Sequence, residues 1–423
     1  MRILSLSLEN IGPFDKAELE LIADPEQEKA PVTLITGENG AGKSIILDAI
    51  RGMFGGLYCV IERRLWRGRN PFRVDLALAY DGKRELLRSD SALFDNKFAL
   101  RGLGEGWVEQ AYPSLDSLRN VLRSVVDGAA LPGWVVDYWR TTQATDSYEI
   151  QGFSKVDHKR FLVDSLQGTY RNQDVTNLVC SFDYLRDSHV SRDKRTGEVL
   201  FGVMKQIFKL SLLNGHFDEV DRLAFTPMVF QSGQRVPLAN VSGGNAYLIQ
   251  HMISLLGKMF SLHVLRGTEP EEICNAPGLL LIDEAENCLH PRWQKRFLAN
   301  VQSIFPNLQI IATTHSPFIL SSVPHARVFV CKFDKEKQCS VVTEETASYA
   351  NKPMDEILVS EAFDGTQPFS QEMTDLIEAR KRAVQQGDDA ARRRIENELQ
   401  EKNPEYFSYF SLDERLQAIG VSR

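Results

Sequence analysis

Hydrophobic and polar positions change rhythm along this chain, and each rhythm predicts a different element. Near the N-terminus Ile3, Leu4, Leu6 and Leu8, then Ile11, then Leu19 and Leu21 recur with a period close to two. That period predicts two strands, with Gly12-Pro13 as the turn between them. Val32-Thr33-Leu34-Ile35-Thr36 predicts a short buried strand, and Ile45-Ile46-Leu47-Asp48-Ala49-Ile50 continues without Gly or Pro as a helix. Alternation returns over 73–80, turns at Asp81-Gly82-Lys83 and runs back over 84–88. From about 100 to 225 the spacing is helical: Leu115, Leu118, Val121, Leu122 and Val125 share one face, as do Val203, Ile207 and Phe208. Breaks at Pro113 and Pro132-Gly133 keep any heptad too short for an extended coiled coil.

Strand-like runs follow at 228–230, 279–282, 309–312 and 327–330, two of them continuously apolar, as buried parallel strands require. Between them, 246–260 predicts a helix burying Leu248, Ile249, Met252, Leu255 and Leu256. The tail from Ser370 is charged and helical, interrupted at Gly387-Asp388-Asp389 and at Asn403-Pro404. The expectation is an α/β chain with a mixed sheet, an antiparallel N-terminal portion and a helical lobe. Its segments are 1–100, 101–225, 226–345 and 346–423.

Composition narrows this only slightly. A chain of 423 residues is too long for one core, and 43% apolar with 25% charged residues is ordinary for a globular protein. A net charge of −8 excludes a protein that coats nucleic acid over its whole surface, so any DNA contact must be focal. No apolar run reaches the ~18 residues of a membrane span and the N-terminus reads as a strand, which predicts a cytoplasmic protein without a membrane segment. Cys59, Cys180, Cys274, Cys288, Cys331 and Cys339 show no CxxC and no zinc-like spacing with His, so reduced cysteines are expected.

Chemistry concentrates in three places. Gly37-Glu38-Asn39-Gly40-Ala41-Gly42-Lys43-Ser44 fits GxxxxGK[ST] between a strand and a helix. Backbone N–H groups around Gly37, Asn39, Gly40 and Gly42 would close on phosphate oxygens, Lys43 would reach the terminal phosphates, and Ser44 would ligate magnesium. The apolar run Leu279 to Ile282 delivers Asp283-Glu284. Asp283 suits the metal, and Glu284 suits a base for the attacking water, a role worth about 10²–10⁴ in rate. Val241-Ser242-Gly243-Gly244-Asn245 opens a helix with small residues, and His315 ends a strand in Ala312-Thr313-Thr314-His315-Ser316-Pro317.

In this order, with Asn10-Ile11-Gly12-Pro13-Phe14 and Glu286-Asn287-Cys288-Leu289-His290-Pro291, the motifs resemble those of the SMC/RecF-type ABC ATPases. The likeness covers 1 to about 95 and about 225 to 345. It implies an ABC-type head with a RecA-like mixed sheet that hydrolyses ATP with Mg2+ and dimerises head to head. Ser242, Gly243 and Gly244 of one copy would meet the γ-phosphate held by Lys43 of the other, and His315 would sense that phosphate. The family's glutamine loop maps to Gln143, with Gln151 or a plain surface residue as alternatives.

Arg51, Arg63, Arg64, Arg67, Arg69 and Arg73 could contact DNA backbone, or could line a solvated strand edge over Trp66; Arg67 is the choice for a nucleotide-sensing arginine. Tyr406-Phe407-Ser408-Tyr409-Phe410 could dock a partner or pack on its own domain. Stand-alone heads with a short insert resemble the ATPase subunits of Septu, retron-associated and PARIS anti-phage systems. That likeness implies a separate nuclease or toxin effector as partner. No Asp-x-Asp pair or His-Asn-His constellation occurs, so no nuclease site is expected in this chain. The alternative is a RecF-like ATPase of DNA repair or DNA loading. The long stretch between Ser44 and Ser242 disfavours a transporter subunit.

Overall fold

In the computed structural model the N-terminal alternation becomes β1 (Arg2–Ile11) and β2 (Phe14–Glu20), paired antiparallel from Ser5 with Glu20 to Ile11 with Phe14. The structure describes residues 1–22, 31–53, 71–80, 83–90, 97–102, 108–111, 133–142, 144–152, 154–163, 170–212, 214–349, 352–360, 363 and 369–411. Two units are distinguished, Met1–Met354 and Asp355–Arg423.

In the first unit β1 also pairs with β4 (Arg73–Tyr80), which continues through β5 (Lys83–Asp90), β6 (Lys97–Gly102) and β7 (Val108–Ala111). This sheet is antiparallel throughout, in the order β2-β1-β4-β5-β6-β7. A second sheet contains β3 (Val32–Gly37), β8 (Val135–Trp139), β12 (Gly278–Ile282), β13 (Leu308–Thr313), β14 (Arg327–Asp334) and β15 (Cys339–Glu344), ordered β15-β14-β3-β13-β12-β8. Its neighbours are parallel except the β14–β15 pair. Buried on both faces, β3, β8, β12 and β13 lack polar alternation, as parallel strands between covering layers do.

Helix α1 (Lys43–Met53) lies between the two sheets and buries Ile46, Leu47, Ala49, Ile50 and Met53 in a core shared with Leu6, Leu8, Leu76, Leu78, Leu279 and Ile311. One side chain fastens sheet to sheet: Gln309 on β13 accepts from the Ile3 N–H (2.7 Å) and donates to the Ile3 carbonyl (2.9 Å).

The region expected to be helical from 100 to 225 is mixed. It holds α2 (His158–Val163), α3 (Asn172–Arg186) and α4 (Ser191–Ser211), but also β7, β8 and β9 (Gly215–Asp221). Strand β8 belongs to the parallel sheet: five residues, four apolar and one Asp, have no periodicity that separates them from a helix fragment until a neighbouring strand claims them. The Leu115 to Val125 helix expectation falls outside the described residues. The strand expected at 228–230 is β10 (Thr226–Gln231), which sits in a separate antiparallel sheet with β9 and β11 (Gln234–Pro237).

Helix α5 (Gly243–Arg266) packs against β8 and α2 to α4. By length and composition it could cross a membrane, with a mean hydropathy of 1.3, but 89% of that window is buried. A helix apolar on nearly all sides is a core helix when other elements surround it.

In the second unit α6 (Gln371–Gln386) and α7 (Asp389–Lys402) form a hairpin broken at Gly387, with Ser370 and Asp388 capping the two helices. Phe407, 2% exposed, packs with Ile395, Leu399, Phe369, Met373 and Phe410, so the aromatic tail folds onto its own hairpin.

Candidate nucleotide site

Every expected catalytic side chain lies beyond the carboxyl end of a parallel strand, where open α/β sheets bind ligands. The loop after β3 is shaped by two glycines. Gly37 has φ +130, and a Cβ there would lie 1.9 Å from the Cys331 carbonyl oxygen on β14. Gly42 has φ +101, and a Cβ there would lie 2.7 Å from both Pro13 and the Phe14 ring. The β1–β2 turn is thus the floor on which the loop rests, a physical reason for Pro13-Phe14 to accompany this motif. Asn39 and Gly40 are exposed at the loop tip. Lys43 is buried (7% exposed), and its Nζ donates to the carbonyls of Gly37 (3.0 Å) and Glu38 (2.7 Å). These neutral acceptors occupy an ammonium that phosphate oxygens would bind more strongly.

Strand β12 places Asp283 beside α1: Ser44 Oγ donates to Asp283 Oδ1 at 2.8 Å, and Thr313 Oγ1 at the end of β13 donates to the same oxygen at 2.7 Å. The Asp283 N–H donates to the Trp139 carbonyl at the end of β8 (2.9 Å). Glu284 then turns sharply, at φ +52, a conformation that costs a non-glycine residue about 1–3 kcal/mol unless its surroundings hold it. They do. The Glu284 N–H donates to Thr313 Oγ1 (2.8 Å), the Ala285 N–H to the Thr313 carbonyl (2.9 Å), and the Asn287 N–H to the Glu284 carbonyl (2.8 Å). The strained turn leaves the Glu284 carboxylate exposed at the mouth of the site.

His315, half-buried, follows β13 directly. Thr314 and His315 are both tied to Glu286: Thr314 Oγ1 donates to one carboxylate oxygen and the His315 N–H to the other, each at 2.6 Å.

These groups perturb one another. Partial desolvation by the surrounding loops raises the Glu284 carboxyl above its ordinary value even at the exposed mouth of the site, and the Asp283 and Glu286 charges add to that; His315 and Lys43 act in the opposite sense. Burial lowers His315, as does Lys43, against Glu284 and Asp283. Burial also lowers Lys43, partly offset by Cys331 and the three carboxylates.

The oxygens present suit magnesium. A hydroxyl and a carboxylate oxygen converge within 2.8 Å, and the described residues contain no group of three or more His, Cys, Asp or Glu that could hold a metal without help. That is the donor set of an ion that borrows its remaining ligands from substrate phosphates and water.

The structure therefore brings Lys43, Ser44, Asp283, Glu284 and His315 together. Ser242 and Gly243 are exposed at the start of α5, and Gly244 backs onto the turn after β12, where a Cβ would lie 2.3 Å from the Cys288 carbonyl oxygen. Gln143 lies outside the described residues, and Gln151 is exposed. Of the arginine patch, Arg63, Arg64, Arg67 and Arg69 lie outside the described residues. Arg51 is no free cation: it is buried, 2.5 Å from Asp48 and stacked 3.8 Å over the Tyr138 ring. Arg73 pairs with Glu9 at 3.4 Å.

Thr313 and Glu286 escaped the sequence reading as site residues. The signals were present, a hydroxyl before Thr314-His315 and a third acid two residues after Glu284, but only strand adjacency gives them partners.

Two sequence families match: one described as an AAA domain, over residues 5–84, and one described as an AAA domain, putative AbiEii toxin, Type IV TA system, over residues 146–321. The Retron Vc95 probable ATPase of Vibrio cholerae serotype O1 biovar El Tor is 24% identical over 165 residues, 39% of this chain and 31% of its own length. The Septu protein PtuA of Bacillus thuringiensis is 23% identical over 351 residues, 79% of this chain and 76% of its own. The chain thus spans about a third of the first relative and about three quarters of the second. Among solved structures, an SMC head bound to the C-winged helix domain of ScpA aligns with a TM-score of 0.49 at 16% identity, covering 82% of this chain and 98% of that one. The SMC head domain from Thermotoga maritima aligns at 0.43 and 15%, covering 82% and 99%. A phosphate-loop strand, a histidine-bearing strand and an acid-bearing strand stand side by side in this sheet, and the chain resembles the ATPases of bacterial defence systems represented by these Septu and retron relatives.

Proposed function

We propose that this chain binds and hydrolyses ATP with magnesium, closes head to head on a second copy around the nucleotide, and acts as sensor and scaffold for a separate nuclease or toxin in an anti-phage defence complex. The observation that carries the ATPase reading is the Ser44 to Asp283 hydrogen bond at 2.8 Å, flanked by Lys43, Glu284 and His315. Loop N–H groups and the start of α1 would cradle the β- and γ-phosphates, and Lys43 would exchange the Gly37 and Glu38 carbonyls for phosphate oxygens. Ser44 and Asp283 would hold magnesium, whose charge neutralises the phosphates and the leaving oxygen. Glu284, exposed on its strained turn, would orient the attacking water and take its proton. His315 would donate to the γ-phosphate from the other side.

The exposure of Ser242 at the start of α5 supports the two-copy arrangement, because the positive end of a helix that faces outward is where a neighbour's phosphate would be met. The defence role and the effector partner rest on the likeness to Septu and retron proteins. The RecF-like alternative loses Arg51 from its DNA-binding patch, since that side chain is buried against Asp48 and Tyr138.

The test is a pair of variants read by ATP turnover and by mass in solution. Glu284→Gln slows hydrolysis by about 10²-fold or more while an ATP-dependent dimer accumulates. Ser242→Arg keeps nucleotide affinity but prevents that dimer. Unchanged turnover in the first, or a normal ATP-dependent dimer in the second, refutes the corresponding half of the reading.

A further inference from the structure

The turn after β12 touches more of the site than any one motif does. Asn287 Nδ2 donates to the Thr141 carbonyl just past β8, and the Cys288 carbonyl lies against Gly244 at the start of α5. Gln294 Nε2 donates to the Leu289 carbonyl (2.8 Å), while its Oε1 accepts from Ser316 Oγ (2.6 Å). At the centre is Glu286, half-buried, with both carboxylate oxygens engaged by donors from the two residues that follow β13. Glu286 is a third acidic side chain beside Asp283 and Glu284, held by two short hydrogen bonds. Those bonds occupy one acceptor site on each Glu286 oxygen and tie the carboxylate to the main chain and hydroxyl that follow β13.

We propose that Glu286 is the positioning residue of the histidine switch: by gripping Thr314 Oγ1 and the His315 N–H it sets where the imidazole stands. Through the same turn, the position of the α5 start against Cys288 reaches His315. The Glu286 carboxylate touches no reacting atom. It fixes the main chain of the residue that does, and a misplacement on the order of 1 Å can cost about 10²-fold in rate.

This inference rests on the ATPase reading, and the experiment separates the two. Turnover, KM and the affinity for a fluorescent ATP analogue are measured for Glu286→Ala, Glu286→Gln, His315→Ala and the Glu286→Ala/His315→Ala double variant, with thermal melting as a check on folding. Glu286→Ala lowers kcat by about 10- to 100-fold with analogue affinity within about 2-fold of wild type. Glu286→Gln recovers most of the loss, since its amide oxygen still accepts from the His315 N–H. The double variant is no slower than His315→Ala to within about 2-fold, because a residue acting through His315 has nothing further to lose.

If His315→Ala slows turnover but Glu286→Ala does not, or if the two losses multiply, Glu286 does not act through His315 and the proposal is overturned while the ATPase reading stands. If His315→Ala alone leaves turnover unchanged, the switch role fails and this proposal falls with it. Should Glu286→Ala not fold, Thr314→Val removes one of the two donors and enters the same cycle; non-additivity with His315→Ala supports the proposal and additivity refutes it.

Discussion

Thr313→Val is the sharpest probe of how Asp283 and Glu284, the proposed metal ligand and base, are held. Valine matches threonine in shape but removes a hydroxyl that does two jobs, donating to Asp283 Oδ1 at 2.7 Å and accepting the Glu284 N–H at 2.8 Å. A hydrogen bond to a charged group contributes about 1.5–3 kcal/mol, and an unsatisfied, part-buried N–H costs about 1–3 kcal/mol. The first term acts on the oxygen proposed to bind the metal, which keeps Ser44 as a side-chain donor among the described residues. Converted at about 1.4 kcal/mol per tenfold, it corresponds to about 10- to 100-fold in the magnesium concentration needed for half-maximal turnover. The second term acts on the strained Glu284 turn and lowers kcat at saturating magnesium. The assay is ATP hydrolysis titrated with Mg2+ for wild type, Thr313→Val and Thr313→Ser. Serine, which keeps the hydroxyl, stays within a few-fold of wild type. A Thr313→Val enzyme with wild-type magnesium dependence and kcat would show that Asp283 and Glu284 are held by something other than this hydroxyl.

Two further outcomes follow from buried polar groups. Asp137, 0% exposed, pairs with the buried Lys258 ammonium and accepts from Trp139 Nε1 (2.9 Å), Tyr170 OH (2.8 Å) and the Tyr138 N–H (2.9 Å). Lys258→Met leaves that carboxylate without its countercharge at a cost of about 3–5 kcal/mol, or about 4–7 °C in Tm at about 2.1 cal/mol/K per residue over the first unit; an unchanged Tm by differential scanning would remove the pair from the fold's essential contacts. His251, packed among Tyr247 (4.1 Å), Tyr170 (4.3 Å) and Trp139 (5.1 Å), is pushed by burial from 6.5 down to about 4. Between those values the unfolded chain binds a proton that the folded chain refuses, so stability is full above about pH 6.5 and declines toward pH 4, by up to about 3 kcal/mol. Denaturant titrations of His251→Phe across that range should show a shallower decline than wild type, and equal slopes would contradict the assignment.

How much was legible depended on whether the signal is local. The loop from Gly37 to Ser44, the Asp283-Glu284 pair at the end of an apolar run and the Gly387 break in the tail could be read directly, because turn geometry, phosphate binding and helix capping use residues adjacent in the chain. The strand at 135–139 was not legible: four apolar residues around an Asp become a strand only when β12 offers its edge, and Asp137 is accommodated by Lys258 and Tyr170 from elsewhere in the chain. Arg51 read as an exposed cation, yet Asp48 one helical turn away and the Tyr138 ring on another strand bury it. The aromatic tail was open between docking and self-packing until the α6–α7 hairpin enclosed Phe407.

By itself, then, the sequence determined which chemistry is present and at which chain positions, since backbone conformation and functional-group identity are properties of short segments. Only the tertiary structure decided which of those groups meet. The parallel order β3-β13-β12-β8 places Thr313 between the phosphate-loop strand and the acid-bearing strand, and Glu286 beneath His315. Such pairings join residues 29 and 30 positions apart across β12 and β13, and 239 apart between Ser44 and Asp283, distances over which no local pattern carries a signal.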